Sequence, residues 1–307
     1  MLEAEVTDVV FSCPGIVEIT YDLNVCGSVN ISLSYSPDKC TWVEVSSGTI
    51  GVTGAIGLQT SGTNKKITWN AADFSANFGK LYFKVEYPAP PDLNPNPTPV
   101  TINGVKWAPV NLDVGGVFCT NPYDYGGLYQ WGRVADGHEC PTSPTTTTLS
   151  PSAQPGHGVF ILAPNTPYDW LASPDGFHWN VDENSPLKTA NDPCPDGWRV
   201  PTFTELETLG IPLTNQTLVT KVWTTQNGIN GYLCTDNNNG NSIFLPAAGN
   251  RFSRDGSLLY TDTNGYYWSS TPPNSTLANS LNGYSGFFNR YAANRAYGMS
   301  VRCVSEL

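Results

Sequence analysis

The sequence predicts a β-rich protein in two parts, an N-terminal all-β sandwich followed by a loop-rich α+β domain. Three observations indicate this organisation. Apolar and polar residues alternate along several segments before residue 88, a proline-rich segment follows, and one helix pattern stands among strand patterns in the remainder. Only 13 % of the 307 residues are charged, and the 29 Gly and 25 Pro are typical of chains rich in strands and turns.

Residues 1–87 are predicted to form the sandwich, because period-two alternation places every second side chain on the buried face of a sheet. Trp42 and Trp69 are the expected large core residues. The predicted buried face consists of Val17, Ile19, Tyr21, Leu23 and Val25, then Val29, Ile31, Leu33 and Tyr35, and finally Leu81, Phe83, Val85 and Tyr87.

Residues 88–99, PAPPDLNPNPTP, contain six Pro in twelve positions and show no periodicity. Such a segment is expected to form a stiff, extended linker. A second domain is therefore predicted over residues 100–307.

The second domain begins with VTINGVKW, which predicts a hairpin that turns at Asn103-Gly104. One helix is predicted after Thr202, which with Glu205 has the spacing of a capping box. The segment DNNNGN at residues 236–241 offers oxygen ligands around a Gly, but lacks the carboxylate that an EF-hand loop needs near its twelfth position. A hairpin turn is predicted there in preference to a calcium site.

The last forty residues have an unusual composition. From Asn264 to Tyr297, 16 of 34 residues are Asn, Tyr or Ser, without helical or strand periodicity. Antibody binding loops use the same residue types, because aromatic rings supply contact area at low entropic cost and small polar groups adapt their hydrogen bonds. The alternative is a polar surface loop on a β protein.

Charge and cysteine content restrict the partners and the compartment. A net charge of −11 with 15 basic residues argues against nucleic acid and anionic membranes, and no apolar run reaches membrane-spanning length. Eight Cys without a Cys-x-x-Cys pair predict disulfides in an oxidising exterior, although their connectivity is not indicated. No signal peptide is visible after Met1, so a processed chain or a virion component is expected.

No catalytic or metal-binding constellation is predicted. His138, His157 and His178 are scattered without metal-ligand spacing, and there is no nucleophile elbow or phosphate-binding loop. Glu205 and Glu207 would point to different faces of their helix. The expectation is a protein without a catalytic residue, metal or cofactor.

Several motifs in the second domain carry a family resemblance. In order they are NGVKWAPVNL, YGGLYQWGR, PCPDGWRVPTFTELETL, IFLPAAGNR, DGSLLY, GYYWSST and RAYGMSVRCV. Together they resemble the Fibrobacter succinogenes major paralogous domain, over roughly residues 100–304. That family is related to the formylglycine-generating-enzyme branch of the C-type lectin-like fold. The N-terminal part similarly resembles the immunoglobulin-like domains that often precede such modules.

The resemblance implies a fold and a disulfide. Residues 100–307 would form an α+β C-type lectin-like domain, and Cys194 would pair with Cys303. Formylglycine-generating enzymes bind copper with two closely spaced Cys near the C-terminus, whereas here Cys303 is the only Cys after Cys234. An enzyme of that type remains an alternative to a binding protein.

A second resemblance concerns the variable proteins of diversity-generating retroelements. Residues 269–298 contain no Lys, Glu, Gln, Met or Trp, although these types make up 34 of the 307 residues. These are the five amino acids that codons ending in a pyrimidine cannot encode. Retroelement variable proteins resemble this chain in having a C-type lectin-like fold with a variable region just before the C-terminus. The competing account is an ordinary family member with an Asn- and Tyr-rich final segment.

The sequence thus predicts a non-catalytic adhesion or receptor-binding protein on a cell surface, a pilus tip or a phage particle. A protein or glycan on a cell surface is the expected ligand, and the N-terminal domain is a candidate anchor. A purely structural surface or virion protein is a further alternative. Trp268, Val301 and Cys303 are expected to be buried scaffold. The predicted ligand contacts are Tyr267, Asn274, Asn279, Asn282, Tyr284, Asn289, Tyr291, Asn294 and Tyr297.

Overall fold

The computed structural model describes residues 2–12, 16–36, 41–45, 51–70, 81–87, 97–166, 168–174, 176, 178–182, 186–212, 214 and 217–306, with the backbone alone at residues 2, 3, 24–28, 60 and 61. The chain divides into two compact units, Met1–Asp92 and Leu93–Leu307, and the division lies within the Pro-rich segment. Residues 88–96 of the predicted linker lie outside the described part. So do Cys13, Cys40 and the side chain of Cys26.

The described part of the first unit is built from strands. They are β1 (Leu2–Ser12), β2 (Ile16–Ser36), β3 (Val43–Val45), β4 (Val52–Gly54), β5 (Gly57–Asn70) and β6 (Tyr82–Tyr87). The sheet order is β1-β6-β2-β5-β4, with β3 beside β2 and β1 also paired with β2. β1 pairs with residues 16–22 of β2, β5 pairs with β2 between residues 16 and 31, and β3 and β6 pair with its last part, residues 32–36.

The predicted buried face of this unit is confirmed for most of its described side chains, whereas Val29, Tyr35, Phe83 and Tyr87 are only partly buried. At most 3 % of each side chain is exposed for Val17, Ile19, Tyr21, Leu23, Ile31, Leu33 and Val85. Val25 lies outside the described side chains. Trp69 is buried, but Trp42 is only half-buried, with the Lys84 ammonium 4.8 Å from the centre of its ring. The expectation that Trp42 is a core residue is therefore wrong, because its ring packs against the Lys84 ammonium and not within the buried cluster. The unit is consistent with the expected β-sandwich.

The second unit contains sixteen short strands and one helix among its described residues. They are β7 (Val100–Ile102), β8 (Val105–Trp107), β9 (Tyr129–Gln130), β10 (Thr145–Thr146), β11 (Phe160–Ile161), β12 (Trp198–Arg199), α1 (Phe203–Glu207), β13 (Val219–Gln226), β14 (Ile229–Asp236), β15 (Ser242–Pro246), β16 (Asn250–Arg251), β17 (Leu258–Leu259), β18 (Asn264–Trp268), β19 (Leu277–Tyr284), β20 (Phe287–Asn294), β21 (Gly298–Met299) and β22 (Val304–Ser305). The sheets are β10-β11, β12-β22-β8-β7, β13-β14-β15, β17-β16-β21-β9 and β18-β19-β20. The unit is nearly all β and loop-rich, so the expected α+β class overstated its helical content.

The helix forms where its capping residues predict it. The Thr202 side chain accepts the N–H of Glu205, and the Glu205 carboxylate accepts the N–H of Thr202 at 2.8 Å. Phe203 and Leu206 are buried, and Gly210 follows with φ +84°. The helix stays short because a positive φ so soon after its start ends the regular backbone.

Both predicted hairpin turns are confirmed. Asn103 and Gly104 have positive φ between β7 and β8, as a two-residue hairpin requires. DNNNGN joins β14 to β15. The carboxylate of Asp236 accepts the N–H groups of Asn103 at 2.7 Å and Asn238 at 2.8 Å, so it fixes the turn. Near the C-terminus the chain forms two short strands, β21 and β22, and residues 300–303 between them are buried.

Three apolar clusters lie in the described part of the second unit, and two of them contain residues of the sheet β18-β19-β20. One is centred on the aromatic residues Phe118, Tyr129, Trp131, Trp179, Trp198, Tyr266 and Trp268. The other surrounds α1 and includes Trp107, Phe203, Leu206, Tyr232, Tyr267, Leu281 and Phe288. The sheet β18-β19-β20 contributes to both cores, and this places it between them. No helix among the described residues has the length and apolarity to cross a membrane.

The predicted disulfide between Cys194 and Cys303 is present, and both residues are buried in the first of these cores. Cys140 is also disulfide-bonded. Cys119 and Cys234 are buried thiols, so the expectation of disulfides throughout is wrong for these two. Each is enclosed by apolar side chains, where cysteine serves as a small apolar residue.

Loss of the Cys194–Cys303 bridge should destabilise the protein strongly. The bridge closes a sequence separation of 109 residues, for which the loop-entropy model gives about 4–5 kcal/mol. The Cys194→Ala/Cys303→Ala double variant should show that decrease in its free energy of unfolding in urea titrations. Thiol labelling of the unreduced native protein provides the check, since ready modification of Cys303 would contradict the bridge.

Candidate ligand-binding face and tyrosine cavity

The Asn- and Tyr-rich stretch forms regular structure. Residues from Asn264 to Asn294 supply all of the antiparallel sheet β18-β19-β20, so the expectation of a stretch without strand periodicity is wrong. Its strands escape a period-two analysis because both faces are partly buried. Apolar residues such as Leu281 and Phe288 therefore do not alternate cleanly with polar ones.

The pairing register separates the two faces of this sheet. Tyr266 lies opposite Asn282, which lies opposite Asn289, and Asn264, Tyr284 and Phe287 are aligned in the same way. Successive side chains in a strand point to opposite faces, so these residues share one face. We call it the display face, and it consists of Asn264, Tyr266, Asn282, Tyr284, Phe287, Asn289 and Tyr291.

Two tyrosines on the display face are substantially exposed, Tyr284 at 38 % and Tyr291 at 40 %. The Tyr284 ring stacks on the Phe287 ring with centroids 4.8 Å apart and an interplanar angle of 12°. Asn282 and Asn289 are half-buried between them. Four predicted contacts are therefore brought together, and rigid strands hold them in place.

Other predicted contacts lie on the opposite face of the sheet, where the protein shields them from solvent. Tyr267 is 1 % exposed and donates its hydroxyl to the carbonyl of Pro246 at 2.7 Å. Asn279 is 3 % exposed, and its side-chain oxygen accepts from Nε of Arg290 at 3.0 Å. These two residues pack against the protein, so their expected exposure is wrong. Asn294 also lies on this face, half-buried.

The remaining predicted residues have separate places. Asn274 is exposed, but its side-chain oxygen accepts the N–H groups of Thr276 and Leu277 at 2.9 Å and so stabilises the turn before β19. Tyr297 is half-buried, with its ring centroid 5.6 Å from that of Phe252. The scaffold prediction is confirmed, since Trp268, Val301 and Cys303 are completely buried.

A cavity of about 220 Å³ opens beside the display face. Four tyrosines line it, Tyr260, Tyr266, Tyr291 and Tyr297, together with Asn250 and Phe252. We call it the tyrosine cavity. Tyr266 and Tyr291 belong to both features, with ring centroids 6.1 Å apart, so the cavity is continuous with the display face.

The hydroxyls of these tyrosines influence one another. Burial raises the pKa of Tyr266 to about 12, and the neighbouring Tyr291, Tyr260 and Tyr297 add to the increase. Burial also raises the pKa of Tyr297, with Tyr291 adding to it and Arg254 opposing it. The phenols of Tyr266 and Tyr297 are therefore neutral hydrogen-bonding groups at neutral pH, and they share the cavity wall with Tyr260 and Tyr291.

Asn250 is the one buried polar side chain in the cavity wall. It is 4 % exposed, and its side-chain oxygen has no hydrogen-bond partner among the described residues. A buried carbonyl without a partner costs about 1–3 kcal/mol. Asn250 thus adds a buried amide to a wall that is otherwise made of phenols and apolar side chains.

A second cluster, Asp136, His138 and Glu139, was not predicted from the sequence. Three potential ligand atoms, one from each residue, lie within 4.8 Å of one another. His138 Nδ1 is 2.7 Å from Asp136 Oδ1, and its Nε2 accepts the N–H of Gln130 at 2.9 Å. Burial lowers the pKa of His138, which leaves the ring neutral.

The carboxylates of this cluster are occupied by protein groups. Glu139 accepts the N–H of Gly115 at 2.8 Å and of Gly137 at 3.0 Å, while Asp136 pairs with Arg133 at 2.9 Å. Both His138 nitrogens and both carboxylates therefore already serve the fold. The cluster acts as a buried polar network that fixes the loop around residues 133–139.

The two thiols among the described residues, Cys119 and Cys234, are poorly suited to act as nucleophiles or metal ligands. Burial raises the pKa of Cys234 to about 12, and burial also raises the pKa of Cys119 far above its ordinary value. A nucleophile or copper ligand must be a thiolate. Neither group supplies one near neutral pH.

The cavity residues Asn250, Phe252, Tyr260 and Tyr266 were missed by sequence reasoning. Tyr266 stands beside the predicted contact Tyr267, but only the folded structure shows which of the two lines the cavity. Asn250 and Tyr260 lie in the motifs IFLPAAGNR and DGSLLY, which the resemblance treats as scaffold. The shared Tyr composition of the segments was the available signal.

Comparison with known proteins identifies one domain. The family model described as the Fibrobacter succinogenes major domain matches residues 119–305, more than half of the chain. No curated protein and no solved structure matches the chain.

Substitutions should separate the display face from the scaffold. Trp268→Ala removes a fully buried ring whose N–H is bonded to Tyr129 at 2.7 Å, and should lower the free energy of unfolding by about 3–5 kcal/mol. Tyr284→Ala and Tyr291→Ala should stay within about 0.5 kcal/mol of the parent. Chemical denaturation measures both effects. If Tyr291→Ala destabilises as much as Trp268→Ala, the display face belongs to the core.

Proposed function

The chain belongs to the Fibrobacter succinogenes major domain family, and on this premise we propose that it is a non-catalytic ligand-binding or adhesion protein. Its ligand contacts the display face of the sheet β18-β19-β20. The observation that carries this proposal is the pair of exposed tyrosines, Tyr284 and Tyr291, on strands whose other residues are anchored in two cores.

Rigid aromatic residues on regular strands suit recognition. Tyrosine buries a large area for the loss of only two side-chain torsions, and it is enriched among binding hot spots. Contacts held by strands are positioned more precisely than those on loops. Asn282 and Asn289 add adaptable hydrogen bonds between the two rings.

The proposed architecture of the second unit is the C-type lectin-like fold. Its support is the loop-rich arrangement of short strands, the predicted Cys194–Cys303 bridge and the order of the family motifs. The first unit is proposed to be immunoglobulin-like and to serve as an anchor. A buried disulfide supports an extracellular site, on a cell surface or a virion.

We further propose that the chain is the variable protein of a diversity-generating retroelement. Residues 269–298, which lack the five amino acids that pyrimidine-ending codons cannot encode, include five members of the display face. Those members are Asn282, Tyr284, Phe287, Asn289 and Tyr291. Sequencing of the neighbouring DNA tests this directly. An adjacent reverse transcriptase gene together with an imperfect repeat of this gene's 3′ end supports the proposal. A locus that lacks this combination refutes it.

The other functions have less support. For a formylglycine-generating type of enzyme, the high pKa values of the two described thiols and the oxidised state of Cys303 are unfavourable. Bound copper or oxidation of a Cys peptide would restore that alternative. A purely structural surface protein does not account for exposed stacked aromatic rings beside a cavity.

Removal of display-face rings should weaken binding without unfolding the protein. Fluorescently labelled full-length chain is titrated onto a panel of bacterial and animal cells, and the cell type that retains it is used for the variants. Tyr284→Ala or Tyr291→Ala should each weaken retention about 30-fold, the size of a 2 kcal/mol hot spot.

Tyr82→Ala is the matched control, because Tyr82 is also exposed, at 44 %, but lies in the first unit. Its retention should equal that of the parent. Equal retention of all three variants would show that the display face is not the contact surface. A panel on which no cell retains the parent would favour the structural alternative.

A further inference from the structure

We propose that the tyrosine cavity is a subsite for one uncharged pyranose ring of a glycan ligand. This inference rests on the proposed ligand-binding function and specifies the chemistry of one part of the site. Four independent features of the cavity carry it: its size, its convergent hydroxyls, its unpartnered amide and its lack of charge.

The size limits the occupant to a single small ring. The cavity has a volume of about 220 Å³. That is below the range of about 300–1,000 Å³ that drug-sized ligands occupy. A monosaccharide-sized group fits, whereas a folded peptide segment does not.

The polar groups of the wall match a polyol. Tyr260, Tyr291 and Tyr297 have hydroxyls without a partner among the described residues, and the Tyr266 hydroxyl accepts only from Asn264, at 3.3 Å. Each phenol can donate and accept one bond or more, and so can the amide of Asn250. A sugar hydroxyl has the same double capacity to donate and to accept.

The apolar surfaces suit the carbon face of a sugar. Tyr266 and Tyr291 are tilted by 57° to one another, and Phe252, Leu259 and Met299 complete the lining. The faces of aromatic rings are electron-rich and attract the weakly positive C–H bonds of a pyranose. The lining therefore offers both ring faces and hydroxyls, and a pyranose presents both C–H and O–H groups.

The charges near the cavity argue against an ionic occupant. No charged side chain lines it, so a buried ion would have no counter-charge. Arg254 is close enough to lower the pKa of Tyr297, and its positive charge would repel an ammonium group. An acidic sugar would in turn face a protein of net charge −11. An uncharged ring avoids all three costs.

Binding of simple sugars to the full-length protein tests the inference. The probes are the methyl glycosides of glucose, galactose, mannose and N-acetylglucosamine, with choline and N-acetylneuraminic acid as charged comparisons, followed by saturation-transfer NMR and calorimetry. At least one neutral glycoside should bind with a Kd on the order of 1 mM, the value expected for so few atoms. The charged probes should bind more weakly or not at all.

Three variants locate the binding. Tyr291→Phe removes one cavity hydroxyl and should weaken binding about fivefold, and Asn250→Leu, which removes the amide at similar volume, should weaken it at least about tenfold. Tyr82→Phe removes the hydroxyl of a 44 % exposed tyrosine in the first unit and should leave the glycoside Kd unchanged. Melting curves verify that each variant is folded, and Tyr291→Phe, at a 40 % exposed position, carries the test if Asn250→Leu does not fold.

Several results would overturn the inference. The first is that no neutral glycoside binds even at concentrations well above the expected Kd. The second is that choline or N-acetylneuraminic acid binds more tightly than the neutral glycosides. The third is that Tyr291→Phe and Asn250→Leu leave glycoside binding unchanged. If glycosides fail while Tyr284→Ala still abolishes cell retention, the sugar inference is wrong and the proposed function stands. If glycosides bind in the cavity while Tyr284→Ala and Tyr291→Ala keep full cell retention, the display face is wrong.

Discussion

The second unit depends on a three-stranded sheet that is buried from both sides. Trp268 and Ala278 on one face pack into the aromatic core, and Tyr267, Leu281 and Phe288 on the other pack around the helix. A one-residue slip of a strand would exchange the side chains of its two faces and place each set in the wrong core, so packing on both sides fixes the register. The end of the sheet that leaves the aromatic core is therefore free to carry Tyr284 and Tyr291 without loss of order.

Buried arginine side chains bond to backbone carbonyls that the short strands leave without strand partners. Arg302 is 1 % exposed and donates to the carbonyls of Ala108 and Phe244 and to Asn111. Arg251 similarly donates to the carbonyls of Cys140, Ser143 and Gly256. Backbone carbonyls in a loop-rich interior lack strand partners, and a guanidinium with five donors satisfies several at once. Arg251 lies next to Asn250, so one of these networks also fixes the wall of the tyrosine cavity.

The two proposals describe one continuous binding site, made of the display face and the tyrosine cavity. Tyr266 and Tyr291 belong to the display face and to the cavity, so a ligand can place one group in the cavity while its remainder lies across the strands. The two parts of the site have different roles in this proposal. The exposed rings supply contact area, and the hydroxyls and amide of the cavity recognise the hydrogen-bonding groups of the ligand. The polar cluster of His138 and its carboxylates has no such opening, since its groups are already bonded within the fold.

The sequence by itself determined the local features. Its alternation predicted the strands of the first unit, the Thr202–Glu205 pair predicted the helix start, and Asn103-Gly104 predicted a hairpin, because each depends on residues near one another in the chain. The family motifs implied the Cys194–Cys303 bridge and led to the family itself.

Only the tertiary structure decided which tyrosine lines the cavity. Tyr266 and Tyr267 are neighbours of the same type, but strand pairing sends one to the cavity and the other, through its bond to Pro246, into the core. The cavity also joins Asn250 and Tyr260 to Tyr291, from segments separated along the chain. Composition marked the region as suited to recognition. The faces and the cavity follow from register and from long-range packing, which no local pattern encodes when a sheet is buried on both sides.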